Sequence, residues 1–148
     1  MDLKKRFTDE QIIGFLKEAE RGMAVMVNVG PDEEQLGRAV RDASGATVRP
    51  LSCSVSELIA LTRRASVFVG GDTGPMQLAA ALGVPVVALF GPTRPERNGP
   101  YATRAVVLRS PESVDNRSHT DRPDAGLHSI EPAKVIASVD ELLKEQDD

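Results

Sequence analysis

Two short stretches concentrate the residue types that can do chemistry: Gly70-Gly71-Asp72-Thr73-Gly74-Pro75-Met76-Gln77 and Gly91-Pro92-Thr93-Arg94-Pro95. In the first, the glycines let the backbone turn sharply and approach a ligand, and Thr73 can cap a helix whose first turn suits Pro75 because no N–H is needed there. The remaining N–H groups of such a helix start, at the positive end of its dipole, suit a phosphate or pyrophosphate. Asp72 would repel a phosphate set directly against it, so its chemistry is to accept hydrogen bonds from sugar hydroxyls or to orient the turn. Gln77, one turn into the helix, donates an amide hydrogen without supplying charge. The same residues also fit a purely local role, with Asp72 and Thr73 capping a helix and the glycines permitting a turn, and spacing alone does not separate the two. Neither a Gly-Lys-Ser or Gly-Lys-Thr phosphate loop nor the three-glycine dinucleotide fingerprint is present.

Other chemistry-bearing residues are scattered. His119 and His128 lie nine apart in a polar stretch without a second cluster, which reads as loop histidines and not as a metal site. Cys53 has no partner motif and is expected to be a small buried residue. Arg94, Arg97 and Arg104 either approach a phosphate or form a solvated surface. The tail from Glu145 to Asp148 is expected to be disordered.

The elements that must position these residues are legible in the hydrophobic pattern. Thr8 to Glu20 predicts an amphipathic helix, with a capping-box pattern at Thr8 and Gln11 and Ile12, Ile13, Leu16 and Ala19 on one face. Met23 to Gly30 predicts a strand buried on both faces. Asp32 to Ala43 predicts a helix with Leu36, Ala39 and Val40 inward, closed by Ser44-Gly45, and Ala46 to Leu51 a short strand. Ser54 or Ser56 then caps a helix running to Arg64 with Val55, Leu58, Ile59 and Thr62 on its buried face. From Ser66 the pattern sharpens into a βαβ unit: SVFVGG, DTGPMQLAAALG and PVVALFG read as strand, small-residue helix and strand. Arg104 to Leu108 fits an edge strand, Ser110 to Ser129 a polar mobile surface, and Pro132 opens a closing helix with Val135, Ile136, Val139, Leu142 and Leu143 toward the sheet. Short apolar strands alternating with helices predict an α/β fold, a single Rossmann-like domain with a mostly parallel sheet and helices on both faces. In such a sheet ligands bind at the carboxyl ends of the strands, where both chemistry-bearing stretches fall.

Length and composition bound the rest. The 148 residues suffice for one domain and fall short of two lobes around a cleft. A net charge of −4 gives no general attraction for nucleic acid, and no apolar run approaches a membrane span. One cysteine and a charged start without an apolar run after it predict a cytoplasmic protein.

The run FVGGDTGPMQLAAALGVPVVALFGPTRPERNGPY, Phe68 to Tyr101, resembles the signature of glycosyltransferase family nine, the ADP-heptose:lipopolysaccharide heptosyltransferases. A looser likeness runs from about Ala24 to Leu143. The resemblance implies the C-terminal, donor-binding half of a GT-B fold. It also implies that an ADP-sugar is held by Asp72, Thr73 and Gly74, by Gln77 where the family usually has histidine, by Glu34 at the ribose, and by the Gly91-Pro92-Thr93 loop. A glutamine cannot carry the positive charge that helps neutralise a departing nucleoside diphosphate. The general base is implied to belong to the N-terminal half, so that the reaction is not expected of this chain alone and its catalytic residues are unknown; no cofactor or metal is implied.

Residues Lys4 to Met23 resemble instead the opening helix of insertion-sequence transposases, without the helix-turn-helix that normally follows. Through Met23 the five Lys and Arg balance the five Asp and Glu, giving no net pull on phosphates. The expected organisation is a transposase-like helix over 1–23 and a nucleotide-sugar-binding domain over 24–146, as a chimaeric gene would produce. Two alternatives follow: a non-catalytic remnant that self-associates as a homodimer through its exposed domain face or N-terminal helix, and a mobile-element DNA-binding protein.

Overall fold

A run of five apolar residues between Pro85 and Gly91-Pro92 fixes the centre of the molecule. In the computed structural model, which describes residues 22–45, 48–115 and 125–146, this run is strand β4 (Val86–Phe90), and all five of its residues are buried. It is flanked in parallel by β3 (Phe68–Gly71), with Phe68 opposite Val86, and by β5 (Ala105–Arg109), with Phe90 opposite Arg109. Successive side chains of β4 point to opposite faces. Val86, Ala88 and Phe90 meet Met76, Ala79 and Ala80 of helix α3 (Gly74–Ala81), whereas Val87 and Leu89 meet Ile130 and the Val135, Val139 and Leu142 face of helix α6 (Pro132–Lys144). Burying a side chain such as Phe90 or Met76 contributes about 2–3 kcal/mol each. The small residues of α3 let it lie close to the sheet.

The first half forms a separate two-stranded parallel sheet, β1 (Val25–Asn28) and β2 (Val48–Leu51), joined by helix α1 (Glu34–Ala43). Four strand segments thus pair in parallel with their sequence neighbours across a helix, β1 to β2 and β3 to β4, as the alternating pattern requires. Helix α2 (Val55–Thr62) connects β2 to β3 and carries a capping box in which Ser54 Oγ accepts from the Glu57 N–H while the Glu57 carboxylate accepts from the Ser54 N–H at 2.7 Å. Two short helices, α4 (Pro95–Asn98) and α5 (Ala125–His128), complete the described residues.

Several expectations are corrected in detail. Strand β1 alternates between half-buried and exposed residues, with Met26 45% exposed, instead of being buried on both faces. Among the described residues it pairs with β2 alone, so a continuous apolar run sits in a half-covered strand. In α1 the buried residues are Gly37 and Val40, and Ala39 is exposed. Gly37 sets this orientation, because a Cβ there would fall 2.8 Å from Pro50 Cβ and 2.9 Å from Val29 Cγ1; only glycine lets the helix sit this close to the strand ends. Val55 is 74% exposed, since as the first residue of α2 it precedes the buried stripe. The polar stretch after Ser110 is not wholly surface: Leu127 packs against the α6-side core and Gly126 lies against Ser113. The acidic tail is docked as far as Gln146, with Glu145 paired to Arg104 at 2.8 Å and Gln146 Nε2 donating to the Ser66 carbonyl at 2.7 Å. The helix expected over Thr8 to Glu20, His119, and Asp147 and Asp148 lie outside the described residues.

Candidate functional site

Because β3, β4 and β5 run parallel, their carboxyl ends bring three connections to one edge: the turn after Gly71, the loop after Phe90 and the loop after Arg109. The two sequence stretches singled out for chemistry are the first two of these.

The first turn leads directly into α3. Thr73 occupies the N-cap position in an extended conformation, but it does not cap the helix; its hydroxyl turns back toward the Gly71 carbonyl at 3.4 Å. Among the described residues no side chain caps α3, and a Cβ added at Gly74 would meet nothing within 4 Å. The start of α3 is therefore an open backbone surface at the positive end of the helix dipole. None of Gly70, Gly71 and Gly74 has positive φ, so the turn does not require the left-handed region. Gly70 instead leaves room for the Phe68 ring, whose Cε1 would lie 2.7 Å from a Cβ there.

The second connection is tied to the first through one residue. Asn98, the last residue of α4, donates from Nδ2 to Asp72 Oδ2 at 3.0 Å, and its carbonyl accepts from Gln77 Nε2 at 2.7 Å. All three residues are half-buried. Asp72, at the end of β3, and Gln77, one turn into α3, thus grip the loop after β4 by two hydrogen bonds. Gln77 is committed to a backbone carbonyl, which accepts only, so its amide nitrogen faces Asn98. Farther along, Tyr101 Oη donates within the same loop to the Glu96 and Arg97 carbonyls at 3.2 and 2.7 Å.

The third connection fixes the other end of the loop. Arg109 donates from Nε to the buried Gly91 carbonyl at 3.1 Å and from Nη2 to Asp115 at 2.6 Å, and Asp115 also takes a hydrogen bond from Arg94. The Arg94 hydrogen bond first, and that of Arg109 after it, hold the Asp115 carboxyl below its ordinary range against a partial desolvation. Pro92 and Thr93, half-buried, lie between these anchors.

The structure thus brings Asp72, Thr73, Gly74 and Gln77 together with the Gly91-Pro92-Thr93 loop. Glu34 stands apart at the start of α1, 64% exposed and 3.6 Å from Arg38 in a solvated pair. Of the arginines, Arg94 is engaged by Asp115, and Arg104, ahead of β5, pairs with Glu145 at the opposite edge of the sheet. His128 belongs to helix α5 and not to an exposed loop, and its Nε2 is shielded without a hydrogen-bond partner among the described residues. Cys53 is half-buried. Among the described residues no group of three or more His, Cys, Asp or Glu is placed to hold a metal, and no helix is long and apolar enough to cross a membrane. Sequence reasoning missed Asn98, Arg109 and Asp115. Asn98 lies 21 and 26 residues from its two partners, a separation that no local periodicity reveals.

The lipopolysaccharide heptosyltransferase 3 of Escherichia coli is 35% identical over 133 residues, covering 83% of this chain and 38% of that protein. The chain thus spans about two-fifths of the length of that relative. Among solved structures, E. coli ADP-heptose lps heptosyltransferase II superposes with a TM-score of 0.80 at 23% identity, over 94% of this chain and 42% of that one, which establishes the likeness of fold. E. coli heptosyltransferase WaaC, solved with ADP-2-deoxy-2-fluoro heptose, superposes with a TM-score of 0.64 at 23% identity, over 93% of this chain and 38% of that one. Residues 13–125 match glycosyltransferase family 9 (heptosyltransferase), and the chain belongs to that family.

Proposed function

We propose that residues 24–146 are a donor-binding domain that holds an ADP-sugar of the ADP-heptose kind, the donor half of a lipopolysaccharide heptosyltransferase reaction. The observation that carries this reading is the uncapped start of α3 at the carboxyl edge of a parallel sheet, open at Gly74 and bordered by an aspartate. Backbone N–H groups there take the diphosphate, as helix starts do for anions generally. Asp72, held on one oxygen by Asn98, takes sugar hydroxyls with the other. The same N–H groups stabilise charge that develops on the departing ADP.

Transfer also needs a base to take the proton from an acceptor hydroxyl. The free oxygen of Asp72 is the one given to the donor sugar, and Glu34 stands apart in a solvated pair. The base comes from the part of the relatives that this chain does not span, and the chain alone binds donor without turning it over. The resemblance to WaaC, solved with an ADP-heptose analogue, supports the choice of nucleotide. The self-association expected from the sequence enters this reading through Met26 on β1 and Val107 on β5, apolar side chains 45% and 41% exposed. Titration of the isotopically labelled chain with ADP tests the site: the amide resonances of Thr73, Gly74 and Met76 shift together as ADP is added. Shifts confined to other elements would place the nucleotide elsewhere.

A further inference from the structure

Asn98 holds an unusual position between the two loops of the site. Its carbonyl is gripped by Gln77 from α3 and its side-chain amide is spent on Asp72, so a single residue of the loop after β4 determines which way the Asp72 carboxylate faces. A carboxylate at the end of a strand, half-buried and with one oxygen unclaimed, rotates about its last torsion unless something fixes it. Asn98 Nδ2 fixes Oδ2, which leaves Oδ1 without a hydrogen-bond partner among the described residues and available to a ligand. The asparagine itself is anchored twice more: the Asn98 N–H donates to the Arg94 carbonyl at 3.0 Å, and the following Gly99 N–H donates to Pro95 at 2.7 Å. A Cβ at position 99 would sit 2.5 Å from the Pro95 oxygen, so the tight turn that carries Asn98 depends on glycine there.

We propose that Asn98 is a positioning residue for sugar recognition: by fixing the Asp72 carboxylate it selects a donor whose sugar offers a hydroxyl to the remaining oxygen, while contributing nothing to the hold on the nucleotide. This rests on the donor-binding reading for its ligand, though the Asn98–Asp72 link exists without one. The chemistry divides the ligand in two. The diphosphate is taken by the backbone of α3, which does not involve Asn98, and the sugar by Asp72, which does.

The test uses the full chain and two probes, ADP and ADP-heptose, measured by isothermal titration with Asn98→Ala, Asp72→Ala and the double variant. Asn98→Ala is expected to leave the Kd for ADP within about twofold and to weaken ADP-heptose about tenfold, the loss typical of one charge-assisted hydrogen bond. In the Asp72→Ala background the same change is expected to add nothing, because the residue through which Asn98 acts is gone. Equal weakening of both ligands, or additive losses, would overturn the proposal and make Asn98 a merely structural residue. The link is also read without ligand: the side-chain amide resonances of Asn98 are expected to move on Asp72→Ala in the unliganded chain. If they stay in place the proposal fails, whereas if they move and ADP does not bind, it is the donor-binding reading that fails.

Discussion

Gln77 gives the sharpest test of how the two loops are joined, because the structure assigns its amide a partner that only accepts. Replacing it by glutamate keeps shape and volume while removing the donor, and sets a carboxylate where the amide stood 2.7 Å from the Asn98 carbonyl. The loss has two parts: the hydrogen bond itself, about 0.5–1.5 kcal/mol, and the penalty for a half-buried acceptor pair facing each other, which brings the total to about 1–3 kcal/mol. At about 3 °C per kcal/mol for a chain of this size, Gln77→Glu lowers Tm at pH 7 by roughly 3–9 °C. The deficit is expected to depend on pH in a defined direction. Protonated glutamate regains the donor, so the folded state raises the pKa of Glu at this position above its unfolded value of about 4.3. The stability it contributes is then fully present below that unfolded value and is lost as pH rises through the folded one. Calorimetry of the variant beside the parent at pH 4 and pH 7 measures the gap, which should narrow at pH 4. A variant as stable as the parent at pH 7, or a gap that widens in acid, would refute the assignment of Gln77 as a donor to Asn98.

Two further outcomes follow from the local geometry. Ala102 has φ of 59°, a conformation disfavoured for any residue with a Cβ, so Ala102→Gly is expected to stabilise the chain by about 0.5–1 kcal/mol in urea denaturation; destabilisation would contradict the strained loop. Asp115, whose carboxyl is held low chiefly by Arg94, supports the loop at neutral pH and loses that support as pH falls through its depressed folded value below 3.8. Asp115→Asn is therefore expected to be less stable than the parent at pH 7 and to converge with it in acid, and a difference that persists unchanged to pH 2 would count against the arginine pairing.

The parts of the molecule that were legible in the sequence are those where one local rule dominates. The β3–α3–β4 unit was readable because an apolar run bounded by Pro85 and Gly91 has few alternatives to a buried strand, and the small residues of Gly74–Ala81 leave little but a helix against it. Helix α6 was readable for the same reason, through Val135, Val139 and Leu142 at helical spacing. The chemistry-bearing turn was found, but its workings were not. A threonine before Gly-Pro signals a capping side chain, and here the hydroxyl prefers the carbonyl two residues back, which leaves the helix start open. The glycines were read as allowing a sharp turn and close approach, and the structure makes the turn without the left-handed region, with Gly70 leaving room for the Phe68 ring and Gly74 facing open space. Asn98, Arg109 and Asp115 were invisible because their roles arise only when the parallel sheet brings three loops to one edge. The docking of Glu145 and Gln146 was likewise hidden, since an acidic tail shows no pattern until Arg104 and Ser66 are placed beneath it.

On the proposed reading, the open start of α3 binds the diphosphate of an ADP-sugar. Isothermal titration of the full chain with ADP tests it most directly, with a Gly74→Val variant as the control that fills the open position without touching the core. The expected result is a single site with a Kd below about 1 mM, equivalent to roughly −4 kcal/mol, that is weakened at least tenfold by Gly74→Val. No heat at millimolar ADP, or binding indifferent to Gly74→Val, would contradict it.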